Sequence, residues 1–210
     1  MGLKILPFRQ YNEHDVVNLY RVADGMVLDS TTGAGSGDAG TFVKVSAGNF
    51  SADPVSYGDD SYLGKTDYAF VGRNQYPKVS LQVEPAGAGD IPLGITLLQT
   101  AKNDENGEKL LYNPQKAVEL QAALPGQAVP VATKGIFTIA SSAFDGDLAD
   151  DYAIGSGLKV SNANGGLVTG CVPTDSACFA TIIGTGSRDQ ANSNGITDQF
   201  SGEYLVFKFN

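Results

Sequence analysis

Ser156-Gly157-Leu158-Lys159-Val160-Ser161, then Asn162-Ala163-Asn164-Gly165-Gly166, then Leu167-Val168-Thr169-Gly170-Cys171-Val172, is the stretch that decides the fold. Two short runs rich in β-branched residues flank a cluster of Asn and Gly, the composition of a tight hairpin turn. Downstream, Ala180 to Gly184 and the terminal run Gly202 to Asn210 continue the pattern, the latter carrying Tyr204, Leu205, Val206, Phe207 and Phe209. A last strand this apolar tucks into a sheet, on Tyr204 with Leu205 or Val206 and the aromatic pair. Upstream, Ala128 to Thr133 and Gly135 to Ala140 are again short, apolar and β-branched.

Further back the same alphabet recurs. Lys78-Val79-Ser80-Leu81-Gln82-Val83-Glu84 alternates, with Val79, Leu81 and Val83 on one face, as a strand with one wet side requires. Ile91 to Leu98 and Thr41 to Val45 read as strands, and Asn106-Gly107 favours a primed turn. Helical signal is confined to Pro114–Leu124, about three turns, stopped by Pro125-Gly126. Short strands separated by turn signals every roughly 8–12 residues predict a mainly β chain, with a small barrel favoured over a sandwich and at most one short helix.

Composition fits that reading. Gly (26) and Pro (9) make up about one residue in six of 210, suited to many short strands and tight turns. Charged residues are 18%, below the roughly 25% of average domains. The net charge is −9, with no basic face to hold phosphates, which argues against nucleic acid and against an anionic membrane surface. No apolar run reaches 18 residues and the first ten lack an export-type apolar core, so synthesis and folding in the cytoplasm are expected.

The beginning of the chain reads differently from the rest. Leu3 to Tyr11 is apolar but broken by Pro7, Asn12 to Asp15 is a polar break, and Val16 to Tyr20 is a second short apolar run. Neither supplies a stripe that folds alone, and apolar chain left in water is costly unless covered. Residues 1–22 are therefore expected to form an extended arm. Leu3, Ile5, Leu6, Phe8, Tyr11, Val16, Val17, Leu19 and Tyr20 would lie on another subunit. Residues 23–90 form a β-rich region with a glycine-rich loop at 30–40 and no assigned role; residues 91–210 form the barrel-like body.

Catalytic motifs fail on inspection. The single histidine, His14, falls in the arm, a poor place to hold a general base. Gly64-Lys65-Thr66 echoes a phosphate loop, but Gly58 stands one position too early and no strand–loop–helix setting is evident. Asp145, Asp147, Asp150 and Asp151 crowd one loop without the spacing of a calcium loop, and a solvated acidic loop is the expectation. Cys171 and Cys178 have no histidine near and do not form a zinc pair; free thiols are expected, with closure of a small loop left open for an oxidising medium. No Trp is present, although sugar platforms commonly use one. No catalytic residue, metal or cofactor is expected.

Pro92-Leu93-Gly94-Ile95-Thr96-Leu97 followed by Gly126-Gln127-Ala128-Val129-Pro130-Val131-Ala132-Thr133-Lys134-Gly135-Ile136-Phe137 resembles the small decoration (cement) proteins of tailed-bacteriophage capsids. Gly155 to Val160, the turn Asn164-Gly165-Gly166, Ile182-Ile183-Gly184 and Tyr204 to Phe209 continue the pattern, which covers roughly residues 92–210. The loop 141–153 is longer and more acidic than in that family. The resemblance implies a β-barrel or β-tulip-like body on the outer surface of the virion, as a homotrimer at local threefold positions, bound to the major capsid protein. The rival expectations are a head-fibre base or glycan-binding module, and a tail-tube or connector subunit.

Overall fold

A computed structural model describes residues 4–46, 55–56, 78–79, 81–188 and 201–210, with backbone alone at 55–56 and 78–79. Leu3, Gly64-Lys65-Thr66 and the side chain of Val79 lie outside the described residues. In chain order the strands are β1 (Val16–Val17), β2 (Arg21–Val22), β3 (Phe42–Val45), β4 (Val55–Ser56), β5 (Lys78–Val79), β6 (Gln82–Pro85), β7 (Gly94–Thr96) and β8 (Gln99–Thr100). A short helix α1 (Pro114–Glu119) leads to β9 (Ala122–Ala123), β10 (Val131–Ala132) and β11 (Ile136–Ala140). One helical turn, α2 (Leu148–Asp151), precedes β12 (Gly157–Val160), β13 (Val168–Cys171), β14 (Ala180–Arg188) and β15 (Gly202–Phe209). The chain is mainly β, as its sequence predicts; the one helix expected, within 114–124, is α1, and the single turn α2 is added to it.

The strands form two principal sheets. One has six strands in the order β1-β10-β7-β3-β6-β2, antiparallel except for the β2–β6 pair; the other has five antiparallel strands in the order β11-β15-β14-β12-β13. Small pairs β4–β5 and β8–β9 accompany them. Among the described residues the sheets do not close into a barrel.

The burial pattern shows why. Phe42 faces the five-stranded sheet and the next residue, Val43, faces the opposite way; both are fully buried. Val131 and Ala132 divide in the same manner. Period-2 alternation therefore sends apolar side chains into two separate cores, so the six-stranded sheet is a wall between them. On one side Phe42, Phe137, Phe179, Phe207 and Phe209 interlock, with ring centroids 5.4–6.3 Å apart in tilted or edge-on pairs, the geometry ring quadrupoles favour. On the other, Tyr20, Val22, Met26, Leu81, Val83 and Val129 pack together. A third, smaller cluster of Leu28, Ala101, Leu110 and Ala117 seats α1, whose Asn113 cap accepts from the Lys116 N–H.

The hairpin at 156–172 forms as expected, β12 facing β13 from Gly157↔Cys171 to Val160↔Val168. Its turn is tied by Ser161 Oγ, which accepts from the N–H groups of Ala163 and Asn164. The final strand differs in its buried face. Leu205, Phe207 and Phe209 point inward, while Tyr204 and Val206 lie half-buried on the outer face. The expected division at residues 22 and 90 does not hold either. β1 and β2, β3 and β6, and β7 and β10 come from the three supposed regions, yet they hydrogen-bond in one sheet.

Candidate interaction surface

The N-terminal segment is not a projecting arm. From Lys4 to Gln10 it runs antiparallel beside β11: Leu6 N–H donates to Thr138 O at 2.8 Å, Ala140 N–H to Lys4 O at 2.9 Å, and Gln10 and Ile136 exchange two bonds of 2.8 Å. Then β1 pairs with β10 in the other sheet, so the segment crosses from sheet to sheet alongside the chain it pairs with. Main-chain pairing satisfies the polar backbone of both partners, and an uncovered β11 edge would leave it open. That is the physical reason the arm expectation fails.

Its apolar residues divide accordingly. Ile5 (5% exposed) sits in the aromatic core and Tyr20 (7%) in the second core; Leu6 is buried too. Tyr11 stacks on Phe137, centroids 5.8 Å apart at 15°, while Val16 and Val17 pack on opposite sides of the wall. Phe8 (57%) and Leu19 (45%) alone among the described candidates face outward. Six of the predicted contact residues thus hold their own fold together.

Proline explains the direction of Phe8. The segment bridges β11 at Ile5↔Ile139 and again at Gln10↔Ile136, so five steps along the segment match three along β11. Pro7 has no N–H to offer the ladder, and the surplus residues bulge outward at this point. The bulge puts the Phe8 ring 5.9 Å from the Arg188 guanidinium, over a groove of about 360 Å³ lined by Leu6, Phe8, Thr138, Arg188, Tyr204 and Val206. An aromatic ring beside a guanidinium on an apolar floor has the composition of a protein contact patch.

The other candidate chemistry is tied up locally. His14 lines an open cleft of about 620 Å³ with Gln10, Tyr11, Asn12, Glu13 and Gly135, a set holding neither a serine nor a cysteine. In the acidic loop the Asp145 carboxylate accepts from Ser161 Oγ and from Asn164 Nδ2 at 3.0 Å. Asp147 caps α2 through the Ala149 N–H, and Asp151 accepts from the Asp147 N–H. Tyr152 is buried beneath this loop, and burial pushes its phenol above the usual range. These carboxylates organise a turn over the β13 edge, where Phe144 bridges Val168. Among the described residues, no three His, Cys, Asp or Glu side chains converge as a metal site would need.

The sequence left it open whether Cys171 and Cys178 meet, and it did not show that they would do so over Gly157. Cys171 and Cys178 are free thiols, and both sulfurs lie over Gly157, 2.4 Å (Cys178) and 2.9 Å (Cys171) from where a Cβ on that residue would sit. The signal available in the sequence was the glycine opposite Cys171 in the hairpin register. No helix of the described residues is long and apolar enough to cross a membrane. Searches against protein families, characterised proteins and solved structures find no match to the chain.

Proposed function

We propose that this chain is a structural virion protein that decorates the outer surface of a tailed-phage head, as a homotrimer bound to the major capsid protein. The observation that carries the reading is where the family-like segments fall. Gly94–Thr96, Val131–Ala132, Ile136–Ala140, Gly157–Val160 and the β14–β15 pair are strands of two sheets sharing one aromatic core. A rigid two-sheet body suits a part that works by covering other proteins' surfaces. Each docked copy contributes free energy to the assembled shell alone, and symmetry multiplies that gain.

The contact is carried by the bulge rather than by a free arm. Phe8, the Arg188 guanidinium beside it and the groove floor of Leu6 and Val206 meet the capsid surface. The test is co-sedimentation of the full chain with emptied heads stripped of their decoration. Saturable binding in multiples of three, lost in Phe8→Asp with the circular-dichroism spectrum unchanged, supports the proposal. A monomer that leaves the shells bare at micromolar concentration overturns it.

A further inference from the structure

We infer that Cys171 and Cys178 are a built-in oxidation site, at which a small-molecule disulfide converts two neighbouring thiols into an internal cross-link without refolding. The inference stands on geometry alone and does not depend on the shell reading.

Register brings the pair together. Cys171 ends β13 directly opposite Gly157 on β12, and Gly157 pairs on its other side with Thr181 of β14. Between β13 and β14 the chain makes two tight turns: Asp175 N–H donates to Val172 O and Cys178 N–H to Asp175 O, each at 3.0 Å. Lys159 Nζ, reaching from β12, holds the Asp175 carboxylate at 3.0 Å. These bonds fold the loop back so that Cys178 arrives over the same glycine, its thiol donating to Ala180 O at 3.4 Å. A side chain at 157 would occupy the space that both sulfurs fill. Both cysteines are half-buried, open enough for a small oxidant.

The chemistry balances with a named oxidant. One protein thiolate attacks a sulfur of oxidised glutathione, forming a mixed disulfide and releasing one glutathione thiol. The second protein thiolate attacks the protein sulfur of that mixed disulfide and expels the other. One internal S–S bond replaces the oxidant's, two S–H hydrogens leave the protein, and two glutathione molecules are produced. Burial and the adjacent Cys178 sulfur push the Cys171 thiol up to about 12, so exchange is slow near neutrality and quickens with pH. The product ties the edge strand β13 to the start of β14 by a covalent bond across the loop 172–177. A chain folded among reducing thiols and later moved to oxidising surroundings gains this latch in place.

The test treats the reduced full chain with oxidised glutathione at pH 8.5, followed by intact mass and free-thiol counting. The expected product has lost two hydrogens and both thiols, carries no glutathione and stays the same oligomer. Closure of the mixed disulfide runs on the order of tenfold faster than in urea, because the fold holds the sulfurs together. Cys178→Ser stops at a stable single-glutathione adduct, which separates pairing from mere reactivity. Two glutathiones per chain, intermolecular dimers, thiols that stay unreacted in the folded chain, or equal rates folded and in urea overturn the inference.

Discussion

Replacing Ile5 by alanine asks whether the start of the chain belongs to the fold. Ile5 is 5% exposed, in contact with the aromatic core, and bridges Ile139 of β11. The substitution deletes three carbons, worth about 2.4 kcal/mol in lost transfer free energy at ~0.8 kcal/mol each. A residual cavity of ~40 Å³ adds about 1 kcal/mol. The expected loss is thus about 2.5–3.5 kcal/mol. For a domain of this size that lowers the melting temperature by roughly 6–12 °C. Phe8→Ala is the internal control: its ring is mostly in solvent, so a change within about 1 kcal/mol is expected. Differential scanning calorimetry of the wild type and both variants reads the contrast. If the segment were an arm awaiting a partner, both substitutions would be silent. A melting temperature for Ile5→Ala within about 2 °C of wild type would refute the woven-segment assignment.

In Gly94→Ala the new Cβ would stand 2.1 Å from the Ala132 carbonyl oxygen, inside the β7–β10 ladder; a loss of at least about 2 kcal/mol is expected in urea unfolding, with amide exchange faster in both strands. Asp145→Ala removes the acceptor of Ser161 Oγ and Asn164 Nδ2 and frees the acidic turn; about 1–3 kcal/mol is expected, with trypsin-independent cleavage by a non-specific protease appearing near residue 147. Because the Cys171 thiol ionises near 12 when folded and near 8.5 when unfolded, the unfolded chain releases its proton first as pH rises. Stability therefore falls from about pH 8.5 upward, and Cys171→Ser flattens that part of the urea-midpoint profile; an unchanged slope would count against the buried pair.

What the sequence disclosed, and what it hid, follows the range of the interactions. The 156–172 hairpin was legible because its turn and its alternation sit within one window. The strands at 131–132 and 136–140 were legible as strands, but their membership of different sheets was not: that switch happens at Gly135, where φ is +134° and a Cβ would meet Gln10 O at 2.7 Å. The same corner explains the misread beginning. Residues 4–17 look irregular because their pairing partners lie more than a hundred positions later, and Pro7 disguises an edge strand as a break. Phe8 and Leu19 were named in advance, yet nothing local distinguished them from the buried Ile5 and Tyr20. The cysteine pair depends on strand register opposite Gly157, which spacing alone does not encode.

The position of β11 has a consequence for how the protein comes into being. It is flanked by residues 4–10 on one side and by β15 on the other, so two segments separated by about 200 positions must meet on it. During synthesis the early segment waits in the open, and β11 is joined to β14 only when residues 202–209, the strand between them, have left the ribosome. Such distant pairings fold slowly and leave sticky intermediates. Nascent chains stalled before residue 200 should therefore be the ones that engage holdase chaperones, and emergence of residues 202–209 should end that dependence abruptly.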